Sequence, residues 1–269
     1  NARLNVILLM VMIGTLAPAQ SAGDWPMWGK DPTRNMVSGE KNLPGTFAAG
    51  RFVGSTDAID PKTTKNVRWI AKLGSQSYGN PSVANGRVYV GTNNDSPRDD
   101  RFTGDRSCVY CLDEKTGAFI WQLNVPKLGT GKVSDWEFLG ICSSPCVVGD
   151  RVYLVTNRAE VICLDAAGMK NGNDGPYKDE GQYMAGPGKK PLPVKDTDAD
   201  IIWVTNMIDE CGVFPHNIAS CSVVVVGDKV WTSTSNGVDY GHDGQFFFDA
   251  DDFKCFGQSK NKYATFYEG

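Results

Sequence analysis

CVYCLDEKTGAFIW, residues 108–121, decides how the rest of the chain is read. Taken alone, Cys108 and Cys111 have the spacing of a redox or metal motif. Taken as a strand, positions three apart point to opposite faces, with Cα atoms about 10 Å apart. A disulfide needs Cα atoms within about 7 Å. A thioredoxin-type thiol needs a helix N-terminus to lower its pKa, and no helix signal follows. A zinc ribbon needs a second close pair, and Cys142 and Cys146 are spaced more widely. The stretch therefore reads as a strand, a turn at Asp113 and a second strand, with both cysteines as packed side chains.

The same pattern recurs. Ile59-Asp60-Pro61-Lys62-Thr63-Thr64 leads to Trp69, and Leu112-Asp113-Glu114-Lys115-Thr116-Gly117 leads to Trp121. Leu164-Asp165-Ala166-Ala167-Gly168 begins a third copy, whose tryptophan returns at Trp203. The aspartates are 53 and 52 residues apart, and Trp69 to Trp121 is also 52. Trp121 to Trp203 is 82, so an insertion of thirty residues, at about 166–200, splits the third copy. Between the copies lie three hairpin-like segments: NPSVANGRVYVGT (80–92), SPCVVGDRVYLVT (144–156) and SVVVVGDKVWTST (222–234). Asn85-Gly86 is a strong hairpin signal, since both residues tolerate positive φ. Each unit thus holds four short antiparallel strands. Such a sheet cannot bury both faces alone, and radial repetition covers them. The fold class expected is all-β, a β-propeller of four-stranded blades with about three blades present. Asp60, Asp113 and Asp165 are expected to accept turn N–H groups, Gly117 to take positive φ, and Trp69, Trp121 and Trp203 to fill the space between blades.

The Asp-x-x-Thr-Gly turn followed by Trp resembles the repeat of the pyrroloquinoline-quinone (PQQ)-like β-propellers. Asp24-Trp25-Pro26-Met27-Trp28-Gly29 is similar to the N-terminal strand of exported members. Gly212-Val213-Phe214-Pro215-His216-Asn217 is similar to a stretch of their uncharacterised exported branch. The resemblance covers roughly residues 24–242. It implies a ring of seven or eight blades, so the chain reads as a truncated propeller. The domains expected are a signal peptide at 1–22, a partial propeller at 23–242 and an atypical, Phe-rich tail at 243–269, either aberrant or an authentic short end. Catalytic members of the family bind PQQ and calcium beside adjacent cysteines. No Cys-Cys pair occurs here, so the resemblance lends the fold rather than the cofactor.

Arg3, the apolar run Val6–Leu16 and Ala17-Pro18-Ala19 have the order of a secretory signal peptide. Eleven apolar residues are too few to span about 30 Å of hydrocarbon. An exported protein, periplasmic or extracellular, is expected, with no transmembrane segment after cleavage. The formal charge of −4 and the lack of Lys/Arg runs argue against a nucleic-acid partner. Export makes disulfides available to the eight cysteines. One among Cys142, Cys146, Cys211 and Cys221 is possible but unassignable.

Within the insertion, Asn171-Gly172-Asn173-Asp174 through Glu180 hints at calcium, but Gln182 stands where a calcium loop needs Glu. A solvated loop is the plainer reading, and GPGKKPLPVKDTDAD reads as an exposed excursion. His216 and His242 are the only histidines. A structural hydrogen-bonding role and a catalytic base are both open for His216. The leading functional reading is a binding or assembly scaffold whose blade loops take a protein or polymer ligand at a propeller face. A PQQ- and calcium-dependent oxidoreductase of alcohols or sugars is the second, and a calcium-dependent carbohydrate or polymer binder the third. No catalytic, cofactor or metal residue is assigned.

Overall fold

The computed structural model of the chain describes residues 23–234, apart from 133 and 212, together with the backbone of 265–268. The signal-like segment 1–22, His242, Cys255 and the rest of the tail lie outside the described residues. Strands β1 (Arg51–Phe52) and β2 (Ile59–Asp60) pair antiparallel, and β2 runs into a 3-10 turn at Pro61–Thr63. Next, β3 (Ser82–Ala84), β4 (Arg87–Asn93), β5 (Arg106–Asp113) and β6 (Phe119–Pro126) form a four-stranded antiparallel sheet in chain order. The pattern repeats in β7 (Cys146–Val148), β8 (Arg151–Val155), β9 (Glu160–Asp165) and β10 (Ile201–Asn206). A third sheet holds β11 (Val224–Val226), β12 (Lys229–Thr234) and β13 (Thr265–Glu268). A second 3-10 turn at Gly168–Asn171 and two short helices complete the described elements: α1 (Glu180–Ala185) between β9 and β10, and α2 (Met207–Cys211) after β10.

Local sequence explains the hairpins. Asn85 and Gly86 both have positive φ, 53° and 75°. That is the mirror-image turn whose twist matches the flanking strands. In the next two hairpins a glycine leads, Gly149 before Asp150 and Gly227 before Asp228, and it alone takes positive φ. The first two blades also share an irregularity. Cys111 pairs with Trp121 and Leu112 with Phe119, leaving Ile120 as an extra residue. Cys163 pairs with Trp203 and Leu164 with Ile201, leaving Ile202 extra. A bulge at the same place re-aims each tryptophan.

The blades stack face to face. In β5, Val109 and Cys111 join a core built with β7, β8, β9 and Ile201. Cys108, Tyr110 and Leu112 face the other way, onto Trp69, Ala71 and Leu73. Period-two alternation therefore sends one face of a single strand into each of two inter-blade cores. The first strands β3, β7 and β11 lie side by side. Trp25 exchanges backbone hydrogen bonds with Val83 (2.8 and 2.9 Å), and Val147 donates to the Pro26 carbonyl (2.8 Å). The N-terminal stretch thus crosses the inner strands of two blades, and Met27 is buried against the second.

The insertion departs from expectation in part. Residues 170–179 and the tip, 187–197, are largely exposed, as expected of a solvated loop and an excursion, but 180–186 and 198–200 are largely buried. Residues 197–199 add to the free edge of β6: Gln122 donates to the Thr197 carbonyl (3.0 Å), and Ala199 donates back to Gln122 (2.8 Å). Helix α1 packs on β6, with Met184 and Ala185 buried. An uncovered edge strand leaves backbone N–H and C=O groups unpaired. The insertion covers this one and ties the second blade to the first.

Both motif cysteines are buried thiols. Burial pushes Cys108, Cys111 and Cys163 up to about 12. Cys142, Cys146 and Cys221 are also free, while Cys211 is disulfide-bonded, so the four candidates do not pair among themselves. A thiol whose pKa is raised stays protonated near neutral pH and does not attack a disulfide. Ellman's reagent on the native protein is therefore expected to leave Cys108, Cys111 and Cys163 unlabelled, as mapped by peptide mass spectrometry. Labelling of either motif cysteine before denaturation would contradict this packing.

Candidate functional site

The repeated residues meet at the blade junctions. Asp113 Oδ1 accepts from the Lys115 N–H (3.0 Å), the Thr116 N–H (2.8 Å) and the Thr116 hydroxyl (2.7 Å). Asp60 accepts from the Lys62 N–H (3.0 Å), and Asp165 from the Ala167 N–H (2.7 Å). The second and third turns each receive a tryptophan from the preceding unit. Trp69 Nε1 donates to the Glu114 carbonyl (2.8 Å) and Trp121 Nε1 to the Ala166 carbonyl (2.9 Å), both across 45 residues. Gly117 has φ 72°, and a Cβ there would lie 2.6 Å from the Trp69 ring. Gly168 stands in the same relation to Trp121. The structure thus places Asp113, Gly117 and Trp69 at one junction and Asp165 and Trp121 at the next. Trp203 lies over Tyr153 at 6.1 Å, as Trp121 lies by Tyr89 at 5.9 Å.

The turns after the first and third strands of a blade share one end. The Glu114 N–H donates to the Gly86 carbonyl and the Ala166 N–H to the Asp150 carbonyl. At the opposite end, the loops entering β3, β7 and β11 converge on a cleft of about 530 Å³. Asn80, Ser144 and Ser222 hold equivalent places in the three hairpins. The Asn80 N–H donates to Ser144 Oγ and the Ser144 N–H to Ser222 Oγ, each at 2.9 Å. This relay fixes the cleft floor. Trp28, Tyr78 and Trp231 present aromatic faces to it, and Tyr78 is 63 % exposed. The Arg34 guanidinium stacks on Trp28 at 4.8 Å. The thiol of Cys142, at the same cleft, is pushed up to about 11 by burial and is neutral. The arrangement stacks planar or apolar groups, offers neutral donors and supplies one cation.

The described lining of this cleft holds no carboxylate. A quinone carrying several carboxylates and a calcium ion needs both cationic partners and anionic oxygen ligands. Arg34 alone does not meet that need, so PQQ with calcium does not fit the described part of the cleft. His216 lies elsewhere, exposed, beside a smaller cavity of about 350 Å³ with Met207 and Pro215.

Carboxylates gather instead at the turn end of the second blade, where Asp165, Asp174 and Asp200 bring oxygens within 4.8 Å of one another. Reading 171–180 as a linear loop missed Asp165 and Asp200. No linear signal pairs them; the register does, because β9 and β10 leave and re-enter the blade side by side, with Leu164 opposite Ile201. Acidic residues at the two ends of the insertion therefore face each other.

Residues 99–172 match a PQQ-type family model described as outer membrane protein assembly factor BamB. No curated protein matches the chain. Among solved structures, the quinohemoprotein alcohol dehydrogenase from Comamonas testosteroni is similar at 17 % identity with a TM-score of 0.42. That likeness covers 79 % of this chain and 23 % of that one. The chain thus spans less than a quarter of that enzyme's length. The matched segment runs from β5 to β9, and over it, with its Asp113 turn and Trp121, the chain is similar to PQQ-type repeats.

Proposed function

We propose that the chain is an exported, PQQ-like propeller scaffold that binds a protein or polymer ligand at the cleft entering β3, β7 and β11. The observation that carries this reading is the lining itself. Exposed Trp28 and Tyr78, half-buried Trp231 and the stacked Arg34 stand over a floor held by the Asn80–Ser144–Ser222 relay. Aromatic anchors with a nearby Arg are the composition of binding hot spots. A rigid floor lowers the cost of ordering the site on binding. Export is supported by the signal-like order of residues 1–22.

A photo-crosslinking residue at Tyr78, in cells producing the full chain, is expected to trap a defined partner, and Trp28→Ala to remove the adduct. The same residue at Phe52, exposed in β1 and remote from the cleft lining, serves as control. Equal adducts from both positions would overturn the reading. So would dye reduction by the purified protein supplied with PQQ, calcium and an alcohol or sugar.

A further inference from the structure

Asp165 closes β9 and Asp200 precedes β10, and the Asp165 N–H donates to the Asp200 carbonyl (2.9 Å). Like charges facing each other across an antiparallel pair are destabilising. Here a third carboxylate is added rather than removed. The insertion folds back so that the Asp174 N–H donates to Asp200 Oδ2 (2.8 Å). Asp165 and Asp200 are buried, at 4 % and 0 % exposure. Glu180, at 1 %, stands close enough for its charge to act on Asp200.

Two oxygens in this cluster are buried and accept nothing: Asp200 Oδ1 and Glu180 Oε1. The other Glu180 oxygen takes the Asn173 amide (2.8 Å). A buried carboxylate oxygen with no donor is costly and needs a partner. The neighbouring cations do not supply one. Arg151 is spent on Asp165 Oδ2 (2.6 Å), and Lys178 sits on the Asn173 and Asp174 carbonyls and the Asn173 side-chain oxygen. Asn171 donates to one Asp174 oxygen (3.0 Å), leaving the other. The Asp200 carboxyl is raised above its ordinary range, first by burial and then by the charges of Asp165, Glu180 and Asp174.

We infer that Asp165, Asp174 and Asp200 bind a calcium ion at the mouth of β9 and β10, with Glu180 behind them. Every candidate ligand is a hard oxygen, which suits calcium or magnesium and not zinc or copper. Oxygens at about 2.4 Å from a calcium ion can stand up to about 4.8 Å apart across its shell, a looser fit than magnesium's rigid octahedron near 2.1 Å. The ion would join the blade, through Asp165 and Asp200, to the insertion, through Asp174. The site lies at the turn end of the blade, away from the cleft, so it is independent of what that cleft binds.

Calorimetric titration of the chelator-stripped full chain with calcium chloride, beside thermal melts, tests this. One saturable site is expected, with a melting temperature raised by calcium, lowered again by EDTA, and moved less by magnesium. Asp174 is exposed, so Asp174→Asn is expected to fold normally and to bind calcium at least about tenfold more weakly. Asp200→Asn is expected to remove the site and, by relieving repulsion, to melt no lower than the calcium-free parent. The inference is overturned by no calcium heat in the parent, or by unchanged affinity in Asp174→Asn.

Discussion

Replacing Trp121 with alanine is expected to lower stability by about 3–5 kcal/mol, the range for emptying a buried aromatic site. Trp121 is fully buried at the centre of the core shared by the first two blades. Its ring packs beside Tyr89 and over Gly168, where a Cβ would come within 2.6 Å. Removing it opens a cavity that neither sheet can fill without leaving register, and it strips the Ala166 carbonyl of its donor. Set against a total of about 5–15 kcal/mol for an ordinary domain, the loss is a large share. Trp69 makes the same bond to Glu114 but is only half-buried. Trp69→Ala is therefore expected to cost clearly less, and the difference isolates burial from hydrogen bonding. Trp121→Phe keeps most of the ring and orphans the carbonyl, for about 1–3 kcal/mol. Urea midpoints by far-UV circular dichroism rank the three. Equal losses in Trp121→Ala and Trp69→Ala would refute the inter-blade account.

The parts of this fold that were legible in the sequence are those a strand's period or a turn's chemistry dictates. Asn85-Gly86 demanded a hairpin, and the separation of Cys108 and Cys111 followed from parity alone. Asp113 was readable because an Asx turn is local. The partner of each tryptophan was not, because the carbonyls of Glu114 and Ala166 carry no side-chain signature. The insertion misled for the same reason. Its Lys- and Pro-rich tip is solvated, but 197–199 seat on the edge of β6 through backbone hydrogen bonds. Asp198 looked like one more acid in a polar run, yet its side chain is fully buried. The carboxylate cluster needed the β9–β10 register, which no linear motif contains. The cleft was hidden too, since Trp28, Tyr78 and Trp231 come from segments far apart in the chain.

Arg101→Ala is expected to cost a comparable 3–5 kcal/mol, about what is lost when one partner of a buried ion pair is removed. The guanidinium grips both oxygens of Asp198 (2.6 and 2.9 Å) and reaches Asp99 (2.9 Å), whose carboxylate also meets Lys195 (2.7 Å). It donates as well to the Pro193 carbonyl. These bonds tie the loop between β4 and β5 to the insertion that covers β6. Alanine would leave the Asp198 carboxylate buried without a cation, its oxygen accepting only from the Lys195 backbone N–H (2.8 Å). Arg101→Lys cannot restore a two-pronged grip, so it is expected to recover little. Arg101→Met combined with Asp198→Leu removes both charges and is expected to recover most of the loss. Acid gives an independent check. Burial acts to raise the Asp99 carboxyl, but hydrogen bonds from Arg101 and Lys195 hold it well below the usual carboxylate range. A depressed folded pKa contributes stability above the unfolded value, about 3.9, and that contribution fades as pH falls through the folded one. The parent should therefore lose stability below about pH 4, and Arg101→Ala should lose less over the same interval because part of its link is already broken. Parallel acid profiles for the two proteins would show that Arg101 does not hold the insertion to the first blade. Diverging profiles, with faster amide exchange along β6 in the variant, would show that the inserted segment is part of the blade.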